Sequence, residues 1–113
     1  MPAKMKSPLD TGAAELISRR FHALSDPTRL RILDQLRSRE EASVGEIAEA
    51  LEASQQNISK HLSALLAEGF VARRKQATSS IYRIANPAVL ELCDSVCAGI
   101  ESQLLEMGAL LTD

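Results

Sequence analysis

The 113-residue chain has few aromatic residues: it contains no tryptophan, one tyrosine and two phenylalanines. Proteins that bind single-stranded DNA or RNA stack the bases on aromatic side chains. Three aromatic residues, Phe21, Phe70 and Tyr82, argue against such a stacking platform.

Long apolar runs are also missing. No run approaches the length of a membrane-spanning helix, and the N-terminal segment MPAKMKSPLDTG lacks the apolar centre of a signal peptide. We therefore expect a cytoplasmic protein that does not enter a membrane. In the reducing cytosol its two cysteines, Cys93 and Cys97, would remain thiols unless a specific ligand or oxidant acts on them.

Motifs of common enzymes are absent as well. The sequence contains no glycine-rich phosphate loop, no paired-carboxylate motif and no activated-serine motif. Ser79, Tyr82 and the two histidines do not have the spacing of a catalytic arrangement. We predict that the chain is not an enzyme.

The most informative segment that is present covers residues 43–70, where two short amphipathic helix patterns are joined by about three residues. Ser43 and Glu46 have the spacing of a capping box at the start of the first helix. Ser54 is a suitable N-cap for the second helix, and Gly69 suits the left-handed position that follows a helix. This pattern predicts a helix-turn-helix.

The spacing inside the segment supports this prediction. Ala48 and Ile58 lie ten positions apart, with a small side chain where the helices would cross and a branched one beneath the second helix. Glu52 is a departure, because such turns often place glycine there to adopt a left-handed conformation. For this segment alone, the alternative is an ordinary helical hairpin inside an enzyme.

A β-hairpin is predicted directly after these helices. Two β-prone runs, residues 70–75 and 81–84, flank a polar loop at residues 76–80. A helix-turn-helix followed by a basic hairpin is a winged helix, whose cations and hydroxyls can contact duplex phosphates. The predicted wing contacts are Arg73, Arg74, Lys75, Thr78, Ser79 and Ser80. Alone, a basic run of this kind is usually just a solvated strand end.

The net charge of −2 conceals an uneven distribution. Residues 1–53 carry a net charge of −1, residues 54–83 carry +4 and residues 84–113 carry −5. The basic segment coincides with the second helix of the motif and the wing, as binding to DNA would require. The acidic C-terminal segment must face away from DNA.

Further helices are predicted on both sides of this unit. One covers residues 11–24, and Asp26-Pro27 is a start signal for another. The apolar side of the first helix carries Ala13, Leu16, Ile17, Phe21 and Leu24, and the second continues into the core with Leu30, Ile32, Leu33 and Leu36. Asn86-Pro87 repeats the start signal for a last helix that runs at least to Leu105, with Leu111 as the alternative end.

These patterns predict a mainly α protein with a small β-hairpin, consisting of about five helices and a two-stranded wing. Residues 1–12 would form a flexible N-terminal arm. Residues 13–113 would form a single winged-helix domain for DNA binding and dimerisation.

Three stretches resemble a known family: FHALSDPTRLRIL at residues 21–33, SQQNISKHL at residues 54–62 and GFV at residues 69–71. Over residues 13–105 the chain resembles the ArsR-type (ArsR/SmtB-like) winged-helix repressors. The resemblance implies a homodimer that pairs through its first and last helices. Its two recognition helices would enter successive major grooves of a palindromic operator in double-stranded DNA, about 34 Å apart.

The first turn of the recognition helix would then carry the sequence readout. The amides of Gln55, Gln56 and Asn57 can form bidentate hydrogen bonds with adenine. Further DNA contacts are predicted for Ser54 and Ser59, to phosphates, and for Lys60 and His61, to phosphates or bases. Two alternatives stay open: Ser54 could be only an N-cap, and His61 could be only a packed surface side chain.

Members of this family often bind metal ions in the helix before the recognition helix or in the last helix. Here residues 44–51 contain no cysteine or histidine, and the last helix contains no histidine. Cys93, Cys97 and Glu101 share one face of the last helix, where two thiolates can chelate a soft metal ion or respond to an oxidant. The alternatives are that both thiols belong to an apolar dimer core, or that the ligand binds elsewhere.

The sequence therefore predicts a homodimeric, sequence-specific DNA-binding regulator of transcription. It would repress its own operon, with a soft metal ion or a thiol oxidant as candidate signals for release from DNA. The alternative is a winged helix that binds other proteins and has no specific affinity for DNA.

Overall fold

The computed structural model describes residues 4–111, with side chains up to residue 108. Over these residues it contains five helices and three strands. In chain order they are α1 (Thr11–Leu24), α2 (Pro27–Arg39), β1 (Glu41–Ser43), α3 (Val44–Leu51), α4 (Gln55–Ala67), β2 (Val71–Gln76), β3 (Ser79–Ile84) and α5 (Ala88–Leu111). The mainly α prediction is confirmed. Residues 1–3 of the predicted arm and 112–113 of the predicted domain lie outside the described residues.

Polar side chains cap the first N–H groups of the helices, which have no partner within the helix. The acceptors are Asp10 for α1, Asp26 for α2, Ser43 for α3, Ser54 for α4 and Asn86 for α5. At α3 the capping box is complete, because Glu46 Oε1 also accepts from the Ser43 N–H at 2.9 Å. That hydrogen bond lowers the pKa of Glu46. The helix starts expected at Asp26, Ser43, Ser54 and Asn86 are therefore confirmed.

The core lies between α2, α3, α4 and the sheet. Its fully buried side chains are Ile32, Leu33, Leu36, Ile47, Ile58, Leu62, Leu65 and Val71. Ala48 is buried in the same cluster, as its predicted place at the α3–α4 crossing requires. Burying a branched apolar side chain contributes about 1.5–3 kcal/mol, so this cluster fixes α4 against the rest of the domain.

The sheet has one strand more than predicted. β1 pairs with β3 in antiparallel register, Glu41 opposite Arg83 and Ser43 opposite Ile81, so the order is β1-β3-β2. A three-residue strand is too short to show alternation in the sequence. The hairpin turn is also shorter than predicted, because Gln76 pairs with Ser79.

Several apolar side chains remain on the surface of the chain. Leu30, expected in the core, is 42% exposed, and Leu16 and Phe21 on the apolar side of α1 are 47% and 53% exposed. On α5 the exposed members are Val96, Ile100, Leu104, Leu105 and Met107. The core prediction was wrong for Leu30, because periodicity identifies an apolar face but not what covers it. Among the described residues, no helix is long and apolar enough to cross a membrane.

The turn between α3 and α4 depends on a left-handed residue. Glu52 has φ 55° and ψ 46°, and its N–H donates to the carbonyls of Ala48 and Glu49. A side chain with a Cβ pays roughly 1 kcal/mol for this conformation, whereas glycine adopts it freely. The turn therefore forms without the glycine that is often found there, at some cost in stability.

Replacing Glu52 with glycine should therefore stabilise the protein. We expect Glu52→Gly to increase the free energy of unfolding by up to about 1 kcal/mol, measured by urea denaturation. Glu52→Ala is the matched control, because it removes the carboxylate and keeps the Cβ. Equal stability of the two variants would show that the backbone conformation of residue 52 costs nothing.

Candidate nucleic-acid interface

The first turn of α4 presents a row of exposed polar side chains. Gln55, Gln56 and Asn57 are all exposed, since Ile58 is the first residue of α4 that enters the core. The Ser54 hydroxyl accepts the Asn57 N–H at 3.1 Å, which shows that Ser54 is the N-cap. Gln56, Asn57 and Ser54 line one shallow, open depression together with Lys60, one helical turn further on.

Gln55 points in a different direction from its two neighbours. Its amide lies over Gly45 on α3, with Nε2 3.5 Å from the position that a Cβ at Gly45 would occupy. Gln55 and Gly45 belong to a second polar cleft, between α3, α4 and the hairpin turn. The other residues of this cleft are Ser43, Val44, Thr78, Ser79 and Ser80. The structure thus brings the predicted hydroxyls of the wing to the recognition helix.

His61 is a residue of α4, and its side chain faces the start of α2. Its side chain is 12% exposed, its Nδ1 accepts a hydrogen bond from Arg29 Nε at 3.1 Å, and Asp26 Oδ1 is 4.0 Å away. Arg29 also donates to the Ala23 carbonyl at the end of α1. This position favours the packed alternative over the predicted DNA contact, so His61 is not part of the interface that we propose below.

The three wing cations are exposed but not equivalent. Arg74 forms a bidentate pair with Glu41 on β1, with both N–O distances 3.0 Å, and also donates to Gln76. This pair lowers the pKa of Glu41 and raises the pKa of Arg74. Among the described residues, neither Arg73 nor Lys75 has a carboxylate within ion-pair distance. Of the three wing cations, Arg73 and Lys75 are therefore the two that are available to an external anion.

The two thiols lie on α5, in a mostly apolar cleft between α5 and α2. Cys93 is half-buried and Cys97 is exposed, and neither forms a disulfide. Burial raises the pKa of Cys93, against the smaller opposing effect of Arg37. In the described part of the chain, no group of three His, Cys, Asp or Glu residues is placed to hold a metal ion. The predicted set of Cys93, Cys97 and Glu101 is thus not assembled within one chain.

Two contacts of this surface were missed by sequence reasoning. Glu41, the partner of Arg74, lies on the strand that was not predicted. Arg29 binds His61 across 32 positions of sequence. The sequence signal was indirect: each of these charged residues lies close to a predicted helix start, Glu41 two positions before Ser43 and Arg29 three positions after Asp26.

A recognition helix with exposed amides beside a basic β-hairpin defines a winged helix-turn-helix protein. Residues 24–74 match the family model described as a helix-turn-helix domain. A solved structure from Mycobacterium bovis, the homodimeric winged helix-turn-helix DNA-binding domain of a possible ArsR-family transcriptional regulator, superposes with a TM-score of 0.73 at 33% identity. The match covers 88% of this chain and 94% of that one.

Curated relatives agree with this match. The transcriptional regulator NmtR of Mycobacterium tuberculosis is 33% identical over 90% of this chain and 82% of its own length. The nodulation protein NolR of Rhizobium meliloti is 38% identical over 70% of this chain, and the match spans 64% of NolR. The chain belongs to the ArsR family of winged-helix transcriptional regulators.

The Glu41–Arg74 pair should make stability depend on pH in the acid range. The pKa of Glu41 is lowered in the folded state. The ionised carboxylate therefore contributes fully to the free energy of unfolding above the ordinary carboxyl pKa, and this contribution is lost as the pH falls through the lowered value. We expect Glu41→Gln to be less stable than the parent at pH 7, with the difference shrinking toward pH 3. Urea midpoints measured across this range would test it.

The matched control is Glu49→Gln, which removes an exposed carboxylate of α3. The difference in the free energy of unfolding between Glu49→Gln and the parent should change less with pH than the difference between Glu41→Gln and the parent. If the free energies of unfolding of the parent and Glu41→Gln differed by the same amount from pH 7 to pH 3, the Glu41–Arg74 pair would not be the source of pH-dependent stability.

Proposed function

We propose that the chain acts as a homodimeric repressor that binds a palindromic operator in double-stranded DNA, with α4 in the major groove and the β2–β3 wing along the backbone. The observation that carries this proposal is the exposed first turn of α4, held beside the wing by a buried helix face. Regulation of its own operon and residence in the cytoplasm are part of the proposal.

Base readout falls to Gln56 and Asn57. Both amides are exposed on the first turn of α4 and can form bidentate hydrogen bonds with adenine N6 and N7. Gln55 faces the wing turn, so it suits a phosphate or a base at the edge of the groove. Ser59 and Lys60, both exposed on the next turn, suit phosphate contacts.

The wing supplies electrostatic attraction that does not depend on sequence. Arg73 and Lys75 can each displace condensed counterions from the duplex. The hydroxyl groups of Thr78 and Ser79, at and beside the hairpin turn, can donate to phosphate oxygens. Arg74 contributes less, because Glu41 neutralises it locally.

Dimerisation follows from the apolar side chains that one chain leaves exposed on α1 and α5. Leu16 and Phe21 on α1, and Val96, Ile100 and Leu104 on α5, are each about half exposed. Exposed apolar side chains of this kind favour association. The homodimeric M. bovis relative supports pairing through the same fold. A two-fold dimer has two equivalent recognition helices, so its operator is expected to be palindromic.

The thiols are better suited to the subunit contact than to sensing. A soft metal ion or an oxidant reacts with the thiolate, and burial disfavours the thiolate of Cys93. Release from DNA by a soft metal ion or an oxidant is the second candidate role for this pair. Its support is that Cys93 and Cys97 lie one turn apart in one cleft, which a second chain could complete.

Two substitutions should separate base readout from backbone binding. We expect Gln56→Ala to reduce discrimination between bases by about 1–3 kcal/mol at one position per half-site. Because the homodimer carries residue 75 twice, Lys75→Gln should weaken binding to all duplexes and reduce the slope of log affinity against log salt by about two. The measurement is fluorescence anisotropy with duplexes that the parent protein selects from a randomised pool, compared with scrambled duplexes at several salt concentrations.

Arg74→Gln is the control for Lys75→Gln, and its effect on the salt slope should be smaller. If both Gln56→Ala and Lys75→Gln behave like the parent, the interface is wrong. If the parent selects no duplex even at low salt, the winged helix is a protein-interaction module instead.

The proposed dimer contact can be tested on α5. Ile100→Asp places a carboxylate in the apolar surface, so we expect the dimer dissociation constant to rise by more than about tenfold. Analytical ultracentrifugation measures this change. Ser102→Asp adds the same charge on the other side of α5 and should leave the dimer intact. If Ile100→Asp leaves the dimer dissociation constant unchanged, the subunit contact does not involve this face of α5.

A further inference from the structure

A cluster of charges joins α1 to the C-terminal end of α4, the end remote from the proposed DNA contacts. The carboxylate of Glu68, the residue after α4, pairs with Arg19 Nε at 3.2 Å and with Arg20 Nε. Arg20 Nη1 also donates to the Glu68 carbonyl at 2.9 Å. The Glu68 side chain is 15% exposed, so α1 holds the end of α4 by a carboxylate and a main-chain carbonyl together.

Helix physics disfavours a carboxylate at this position. The C-terminus of a helix carries a partial negative charge, which repels an anion and attracts a cation. Glu68 is also the single acidic residue among residues 54–83, which otherwise carry five basic residues. The guanidinium groups of Arg19 and Arg20 offset this repulsion. The cluster is therefore a specific contact between two helices and not a solvated charge at a helix end.

α1 occupies a particular place in the proposed dimer. Leu16, three positions before Arg19, and Phe21, directly after Arg20, are exposed on the surface assigned to the partner subunit. α1 therefore connects the subunit contact to the end of α4. Because the core fixes α4 against α2, α3 and the sheet, a change in the α1–α4 contact would move this whole unit, with the recognition helix, relative to α1 and hence to the two-fold axis.

We infer that Glu68 is a positioning residue for DNA recognition, which acts through Arg19 and Arg20. The contact sets the direction of α4 relative to the subunit contact, and hence the distance between half-sites that the dimer accepts. This inference rests on the proposed function. It adds that the spacing of the operator is determined in part at the end of α4 that does not touch DNA.

The test is the affinity of the dimer for duplexes with altered spacing. Three duplexes carry the same selected half-sites, with the separation of the parent's preferred site or with one base pair more or less. For Glu68→Gln we expect the preference for the original separation to fall about fivefold, within the range of couplings measured between contacting residues. Base preference inside each half-site, and the dimer dissociation constant, should stay as in the parent.

Two further variants show that the effect passes through the pair. Arg20→Gln should reduce the spacing preference in the same way, and the double variant should lose less than the sum of the two single losses. Glu91→Gln, which removes an exposed carboxylate in the first turn of α5, should keep the parent preference.

Retention of the full spacing preference in both Glu68→Gln and Arg20→Gln would overturn the inference. Additive effects in the double variant would also overturn it, because the two residues would then act independently. Failure of the proposed function is seen separately, in the parent protein, as the lack of any preferred duplex.

Discussion

The burial of one face of α4 is the constraint on which the rest of this structure depends. Ile58, Leu62 and Leu65 are completely buried against α2, α3 and the sheet. Because these side chains fix the rotation of α4 about its own axis, the amides of Gln56 and Asn57 must face outward. The same packing holds Gln55 beside the hairpin turn, so one apolar cluster positions both parts of the proposed interface.

Polar contacts then define how this unit is attached to its surroundings. Arg29 joins His61 on α4 to the start of α2, and Arg74 joins the wing to β1 through Glu41. Arg37 joins α2 to α5, through the Asp94 carboxylate at 3.0 Å and the Leu90 carbonyl at 3.2 Å. These contacts are exposed or half-buried, where single ion pairs contribute little stability. Their role is to restrict geometry, and the energy comes from the apolar core.

The sequence predicted the features that depend on neighbouring residues. Caps at Asp26, Ser43 and Ser54 mark helix starts through hydrogen bonds that reach only two or three positions ahead. Features that depend on distant residues were not predictable. The pairing of β1 with β3 joins residues about 40 positions apart, and the partner of Arg74 lies 33 positions before it. Likewise, the apolar face of α1 was evident, but Leu16 and Phe21 lack a covering element within the described part of this chain.

We have proposed that two copies of α4 bind DNA as a two-fold pair. The decisive measurement is a hydroxyl-radical footprint of the parent protein on a duplex selected from a randomised pool. Two-fold binding predicts two equivalent protected patches, related by the dyad of a palindrome and centred about one helical turn apart. A single unsymmetrical patch, or uniform protection that disappears with added salt and selects no sequence, would contradict it.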